Sequence, residues 1–280
     1  MESPNKINQI QNDIRVSKMR GKLNLANLAG WITLTLGCVS LTGAIIYNHQ
    51  ILAFIGLGLT FWGIILTYIR SEEYVKESFM DAVCLSSLEA LNQLMDKLGY
   101  TDKAIYLPPK YLKEPENSKA FIPKSKFSTL PKPEQTQRED IDLFIENPEG
   151  LLITPPGNEL NKLFEKTLET SFTRVDFQFL QLNLPKIFID ELEIAQDLEI
   201  NMENNKICVK IENSPYVRLV KEIRKLSKVY ESLGCPLSSA ISCALAKATG
   251  KLVKIEKQEI NEAARTMMIE YGLLEEDAQS

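Results

Sequence analysis

GWITLTLGCVSLTGAIIY at 30–47 and ILAFIGLGLTFWGIILTYI at 51–69 decide how this 280-residue chain is organised. Both lie in a run of 47 residues, between Lys22 and Arg70, that holds no Asp, Glu, Lys or Arg. One helix of that length would extend about 70 Å, whereas a bilayer core of about 30 Å takes about 20 residues. Two crossings fit instead: a hairpin over 23–70, with helices at about 26–47 and 51–69 and a turn at Asn48-His49-Gln50. Trp31, Tyr47, Trp62 and Tyr68 stand mostly near the segment ends, where amphipathic rings favour the membrane interface. Gly37, Gly43, Gly56, Gly58 and Gly63 allow the two helices to approach closely. A cleaved signal peptide fits poorly, because the apolar region starts late, runs long and closes on no small-residue cleavage site.

Basic residues flank the hairpin and are absent from its turn: Arg15, Lys18, Arg20 and Lys22 before it, Arg70 and Lys76 after it. That asymmetry predicts a multi-pass protein of the cell membrane with both termini cytoplasmic. The basic cytoplasmic segment 1–22 has five basic and two acidic side chains, and Arg70 adds one positive charge; the chain's net charge of -5 therefore leaves -9 on everything after Arg70. An acidic domain of that size is repelled by nucleic acid and by anionic headgroups. The lipid bilayer is the expected partner, and nucleic acid is not.

Beyond the hairpin, 71–99 reads as a helical stalk or first domain helix, with Val75, Phe79, Ala82, Leu85 and Leu91 near one face and Gly99 as its stop. A β-rich subdomain follows over 100–156, with short apolar runs at 103–109, 119–123, 141–145 and 151–156, a turn at 147–150 and an exposed loop at 124–140. An α+β subdomain occupies 157–280. It offers a helix from Asn158, a helical region at 176–192 that Pro185 breaks or kinks, and a hairpin of 197–203 with 206–212 around Asn204-Asn205. Ser214-Pro215 starts a helix to about Leu233, Cys235-Pro236 starts another ending before Gly250, and two alternating strands close the chain. The fold class is α+β: antiparallel sheets with packed helices and a C-terminal ββααββ unit, preceded by an α-helical transmembrane hairpin.

Five cysteines, Cys38, Cys84, Cys208, Cys235 and Cys243, form no C-x-x-C pair, and the one histidine is His49. No disulfide framework, metal site or imidazole-dependent mechanism is indicated, and no catalytic residue or cofactor is assigned. Cys235, ahead of Pro236 at a helix start, is either a reactive thiol or a cap and packing residue; as a nucleophile it would need Lys247, Glu256 or a water as base. The Pro-Pro pairs at 108–109 and 155–156 either stiffen strand exits or line a groove with Tyr106, Tyr111 and Phe121 beside it. Cys235, Tyr106, Tyr111 and Phe121 are thus the ligand-binding candidates.

LGYTDKAIYLPPKYLKEPENSKAFIP at 98–123, GLLITPPG at 150–157, NLPKIFIDELEIA at 183–195 and LGCPLSSAISCALAKATGKLVKIE at 233–256 resemble a family of uncharacterised archaeal membrane proteins. That resemblance implies the N-terminal hairpin and a cytoplasmic α+β domain, and no activity. The Gly-Cys-Pro helix, Gly turn and two final strands also look like the closing part of the vinyl-reductase-type and TRAPP-like fold, which has small-ligand-binding members. The expectation is a membrane-anchored binding or sensor domain for a small molecule or a protein partner. The alternatives are a structural assembly protein of the membrane, with a possible homo-oligomer, or a thiol-dependent enzyme using Cys235.

Overall fold

A computed structural model describes residues 28–68, 76–124, 130–136 and 143–275, which fall into two compact units divided after Val75. The basic segment 1–22, Val75 and the first residues of the expected stalk lie outside the described residues.

The first unit is an apolar hairpin of α1 (Leu28–Tyr47) and α2 (Gln50–Tyr68), both long and apolar enough to cross a membrane. Asn48 turns the chain at φ 52°. The seam holds Gly30, Gly37 and Ala44 on α1 and Gly56 and Gly63 on α2, all buried and seven residues apart along each helix. A Cβ on Gly37 would fall 2.5 Å from Thr60 Oγ1, and one on Gly63 would fall 2.6 Å from the Leu34 nitrogen. A seven-residue repeat makes paired helices wrap with a shallow left-handed crossing. Gly58, by contrast, would meet nothing and faces outward.

The second unit is built on one eight-stranded, wholly antiparallel sheet in the order β3-β4-β2-β1-β7-β8-β6-β5. The strands are β1 (Ile105–Tyr106), β2 (Ala120–Pro123), β3 (Phe144–Glu146), β4 (Glu149–Ile153), β5 (Asp197–Glu203), β6 (Lys206–Glu212), β7 (Leu252–Asn261) and β8 (Thr266–Leu274). Strands from 100–156 and from 157–280 thus share one sheet, joined where β1 pairs with β7.

The helices after the hairpin are α3 (Glu77–Leu98), α4 (Pro133–Thr136), α5 (Asn158–Thr167), α6 (Phe177–Lys186), α7 (Val217–Ile223), α8 (Ser227–Ser232) and α9 (Pro236–Thr249). At the centre of the core lies α9, buried at every position from Leu237 to Lys247, as expected of a helix enclosed on all sides. Cys235 caps its start, with Sγ accepting from the Ser238 N–H at 3.3 Å, and Gly250 ends it at φ 65°. Gly157 makes close approach possible: its N–H donates to Ser239 Oγ at 3.0 Å, and any Cβ there would collide with the Ala240 backbone. The buried ammonium of Lys247 is satisfied by Glu165 Oε2 at 2.9 Å and the Glu116 carbonyl at 3.0 Å.

Three expectations change. The helix expected over 214–233 is two, α7 and α8, and the unit reads ββαααββ. Leu226 leaves the helix at ψ 72°, and the first N–H groups of α8, on Lys228 and Val229, are accepted by Asn92 Oδ1 of α3 at 3.0 and 3.2 Å. A cap supplied from a distant helix lets the chain restart a helix where no local signal marks one. Pro185 does not end its helix. Lacking an N–H for the Gln181 carbonyl, it is followed by a wider π turn over Ile187–Glu191, where Leu192 N–H reaches back five residues to Ile187. Finally, α3 buries Leu88 and Met95 and packs Leu85 and Leu91 inward, while Phe79 and Ala82 are exposed. Twelve residues separate Phe79 from Leu91, about 120° around a helix of 3.6 residues per turn, so the two cannot share a face.

Candidate functional site

The sheet is covered differently along its width. Ile105, Leu107, Tyr111, Leu112, Phe121, Leu152 and Leu252 form a small apolar cluster apart from the main core, joined by Leu130, Ile145 and Leu274. Their strand neighbours Tyr106, Ala120, Ile122, Leu151, Ile153 and Val253 belong to the main core with the helices. Since successive side chains point to opposite faces, the small cluster lies on the face away from the helices. It is roofed by a 3₁₀ turn at Pro109–Tyr111 together with Leu112 and Leu130. Thr136 Oγ1 fastens the roof by donating to the Tyr111 carbonyl at 2.6 Å. Within 124–140, expected to be an exposed loop, Pro131 and Thr136 are buried; 125–129 and 137–140 lie outside the described residues.

Where the roof stops, over β1, β7 and the end of β8, the surface drops into a cleft of about 790 Å³. Its lining mixes apolar side chains, Ile105, Pro123, Leu130 and Leu274, with charged ones, and Ile105 lies directly opposite Lys254 across the β1–β7 pairing. The charged groups are Lys103, Lys254 and Lys257 together with Asp102, Glu231, Glu256 and Glu275. The cleft has a distinctive floor. The β7–β8 register slips between Ile255 and Lys257, and Lys103 Nζ donates to the carbonyls of Ile255, at 3.0 Å, and Glu256. A β-bulge re-aims side chains at a sheet face, and here it turns the ladder where the cleft opens. The wall from α8 is held by Gln258 Nε2 donating to the Tyr230 carbonyl at 3.2 Å and by the Ala104 N–H to Ser232 at 3.0 Å. Lys257 pairs with Glu259 at 2.6 Å and Glu275 with Lys251 at 3.3 Å. A hydrogen bond from Asn205 first, and then Lys251, hold the Glu275 carboxyl below its ordinary value. These groups suit holding a small molecule that carries both apolar and polar or charged groups.

None of the four residues singled out from the sequence lines this cleft. Tyr111 and Phe121 come together in the roofed cluster, and Tyr106 points to the opposite face, its hydroxyl donating to the Leu233 carbonyl at 2.6 Å. Burial pushes the Tyr106 phenol well above its ordinary value. Cys235 is fully buried, and burial raises its thiol against the opposing pull of Ser238. Cys243 is pushed up to about 12 by burial. Lys247 lies twelve residues along α9 from Cys235, about 18 Å along the axis, and is engaged by Glu165, so it cannot act as that thiol's base. Glu256, the other base considered, lines the cleft. The residues missed were Lys103 and Lys254, brought together by the β1–β7 pairing. A signal was present: in LVKIEKQEI the inward apolar residues fall at Val253 and Ile255 and then at Ile260, an odd-to-even slip that marks the bulge.

No curated protein and no solved structure matches the chain. Residues 20–272 match a domain of unknown function, DUF7982, a span that runs from the last three residues of the basic segment 1–22 into β8. With nearly the whole chain inside that match, the protein belongs to the DUF7982 family.

Proposed function

We propose that this is a membrane-anchored protein whose α+β domain, on the cytoplasmic side, binds a small molecule in the cleft between the roofed and open parts of its sheet. The observation that carries the reading is the cleft itself. Its volume of about 790 Å³ falls in the range of small-ligand sites, and apolar and charged side chains line it together beside a bulged strand. Anchoring is supported by the hairpin's outward surface, where Ile45, Phe54 and Tyr68 are exposed, and by basic residues at both of its ends with none in its turn.

Native mass spectrometry of the full chain, released gently from its own membranes, tests the ligand. A reproducible added mass that disappears in Thr101→Trp, which fills the cleft from an exposed position, with an unchanged melting temperature, is the expected result. Bare mass, or an adduct indifferent to Thr101→Trp, overturns the reading.

A further inference from the structure

The helix α3 carries two stripes, centred about 120° apart around its axis. Leu88 and Met95, with Leu85 and Leu91, pack into the domain. Away from these, Phe79, Met80, Val83 and Leu94 are 62, 55, 50 and 42% exposed. Met80, Val83, Ser87, Ala90 and Leu94 follow one another at spacings of three, four, three and four residues, and all are exposed. That is the spacing by which one helix offers a continuous stripe to another.

We propose that this stripe docks against the same stripe of a second copy of the chain anchored in the same membrane. The proposal rests on the hairpin's anchoring in a bilayer and not on the cleft's ligand. Chain length favours that occupant. Only eight residues separate Tyr68, the end of α2, from Glu77, the start of α3, a link that reaches no more than about 30 Å when extended. Two copies anchored in one bilayer therefore begin their α3 helices within that reach of the same membrane face, which confines both stripes to one layer. Charge and size disfavour a lipid surface as the occupant. Between Ser78 and Met95 the only charged residues are Asp81 and Glu89, both acidic, whereas helices lying on anionic headgroups carry Lys and Arg beside a bulky apolar face. Ser87 and Ala90 at the middle of the stripe leave room for another helix backbone instead. A seam of about two heptads is smaller than a standard stable interface, so the pairing depends on confinement in a shared membrane.

Oxidative cross-linking of the full chain in its membranes tests this, using single substitutions in a Cys38→Ala background. Val83→Cys and Leu94→Cys should give disulfide-linked dimers in several-fold higher yield than the exposed off-stripe positions Ser78→Cys and Glu89→Cys. Ala90→Glu, which puts a charge in the seam, should reduce the cross-linking of Val83→Cys in the membrane several-fold without lowering the melting temperature. Carbonate extraction of the same membranes reports anchoring separately. Membrane retention with equal cross-linking at all four positions overturns the pairing alone; release from the membrane overturns the pairing together with the anchoring.

Discussion

The two halves of the sheet are built on different terms. β1, β2, β3 and β4 are two to five residues long, and β1, β2 and β4 are apolar on consecutive residues, because both of their faces are covered. β5, β6, β7 and β8 are seven to ten residues long, and they alternate: Ile207, Val209 and Ile211 turn to the helices, and Cys208 and Lys210 turn away. A strand covered on one side draws on a long hydrogen-bond ladder and half of its side chains; a strand covered on both sides can be short. The cleft sits at the change from one regime to the other, since the roof ends there and leaves Ile105 and Leu274 as its apolar edge.

The same kind of substitution should therefore have unequal effects across that line. The largest is expected for Phe121→Ala, which empties the fully buried centre of the roofed cluster; a loss of about 3–5 kcal/mol in chemical denaturation follows from core aromatic truncations. If this variant unfolds with the wild type, the roof contributes nothing and the contrast fails. Next comes glycine to alanine on each side. A Cβ on Gly150 of β4 would strike the Phe121 ring and come 2.9 Å from the Ile122 carbonyl oxygen, so Gly150→Ala should cost about 1–3 kcal/mol. On Gly272 of β8 a Cβ meets only the Glu256 side chain, at 3.0 Å or more, which can swing aside, so Gly272→Ala should stay within about 0.5 kcal/mol. Equal losses would show that both halves are packed alike. The smallest effect concerns thiol chemistry on the open face. Burial first, then the charges of Glu270 and Glu203, raise the Cys208 thiol above its ordinary value. Glu270→Gln removes a negative neighbour of the thiolate, so the pH midpoint for labelling Cys208 should move down, while the buried Cys235 and Cys243 stay silent until the protein unfolds.

Local signals carried most of the elements. Asn204 and Asn205, at φ 45° and 61°, form the turn their side chains favour, and Gly99, Cys235 and Gly250 bound helices as their types suggest. What escaped was settled between distant segments. Asn92 caps α8 from more than a hundred residues away, and Lys103 meets the β7 bulge across a strand pairing that no local pattern encodes. The seven-residue rhythm of Gly30, Gly37 and Ala44 stands in the sequence, but glycines off the seam, such as Gly58, obscure it. Phase also explains α3: its inward and outward stripes are both apolar, so composition alone merges them.

The position of β7 has a consequence for the time course of synthesis. It is the strand that joins the two halves, yet about 150 residues of chain separate it from its partner β1. At about 5–20 residues per second, the first half of the sheet waits on the order of ten seconds for the strand that completes it. Until then the ladder-bonding edge of β1 and the surface meant for α9 have no mate. That waiting edge is only two residues long, Ile105 and Tyr106, which leaves a wrong strand little ladder to hold before β7 arrives.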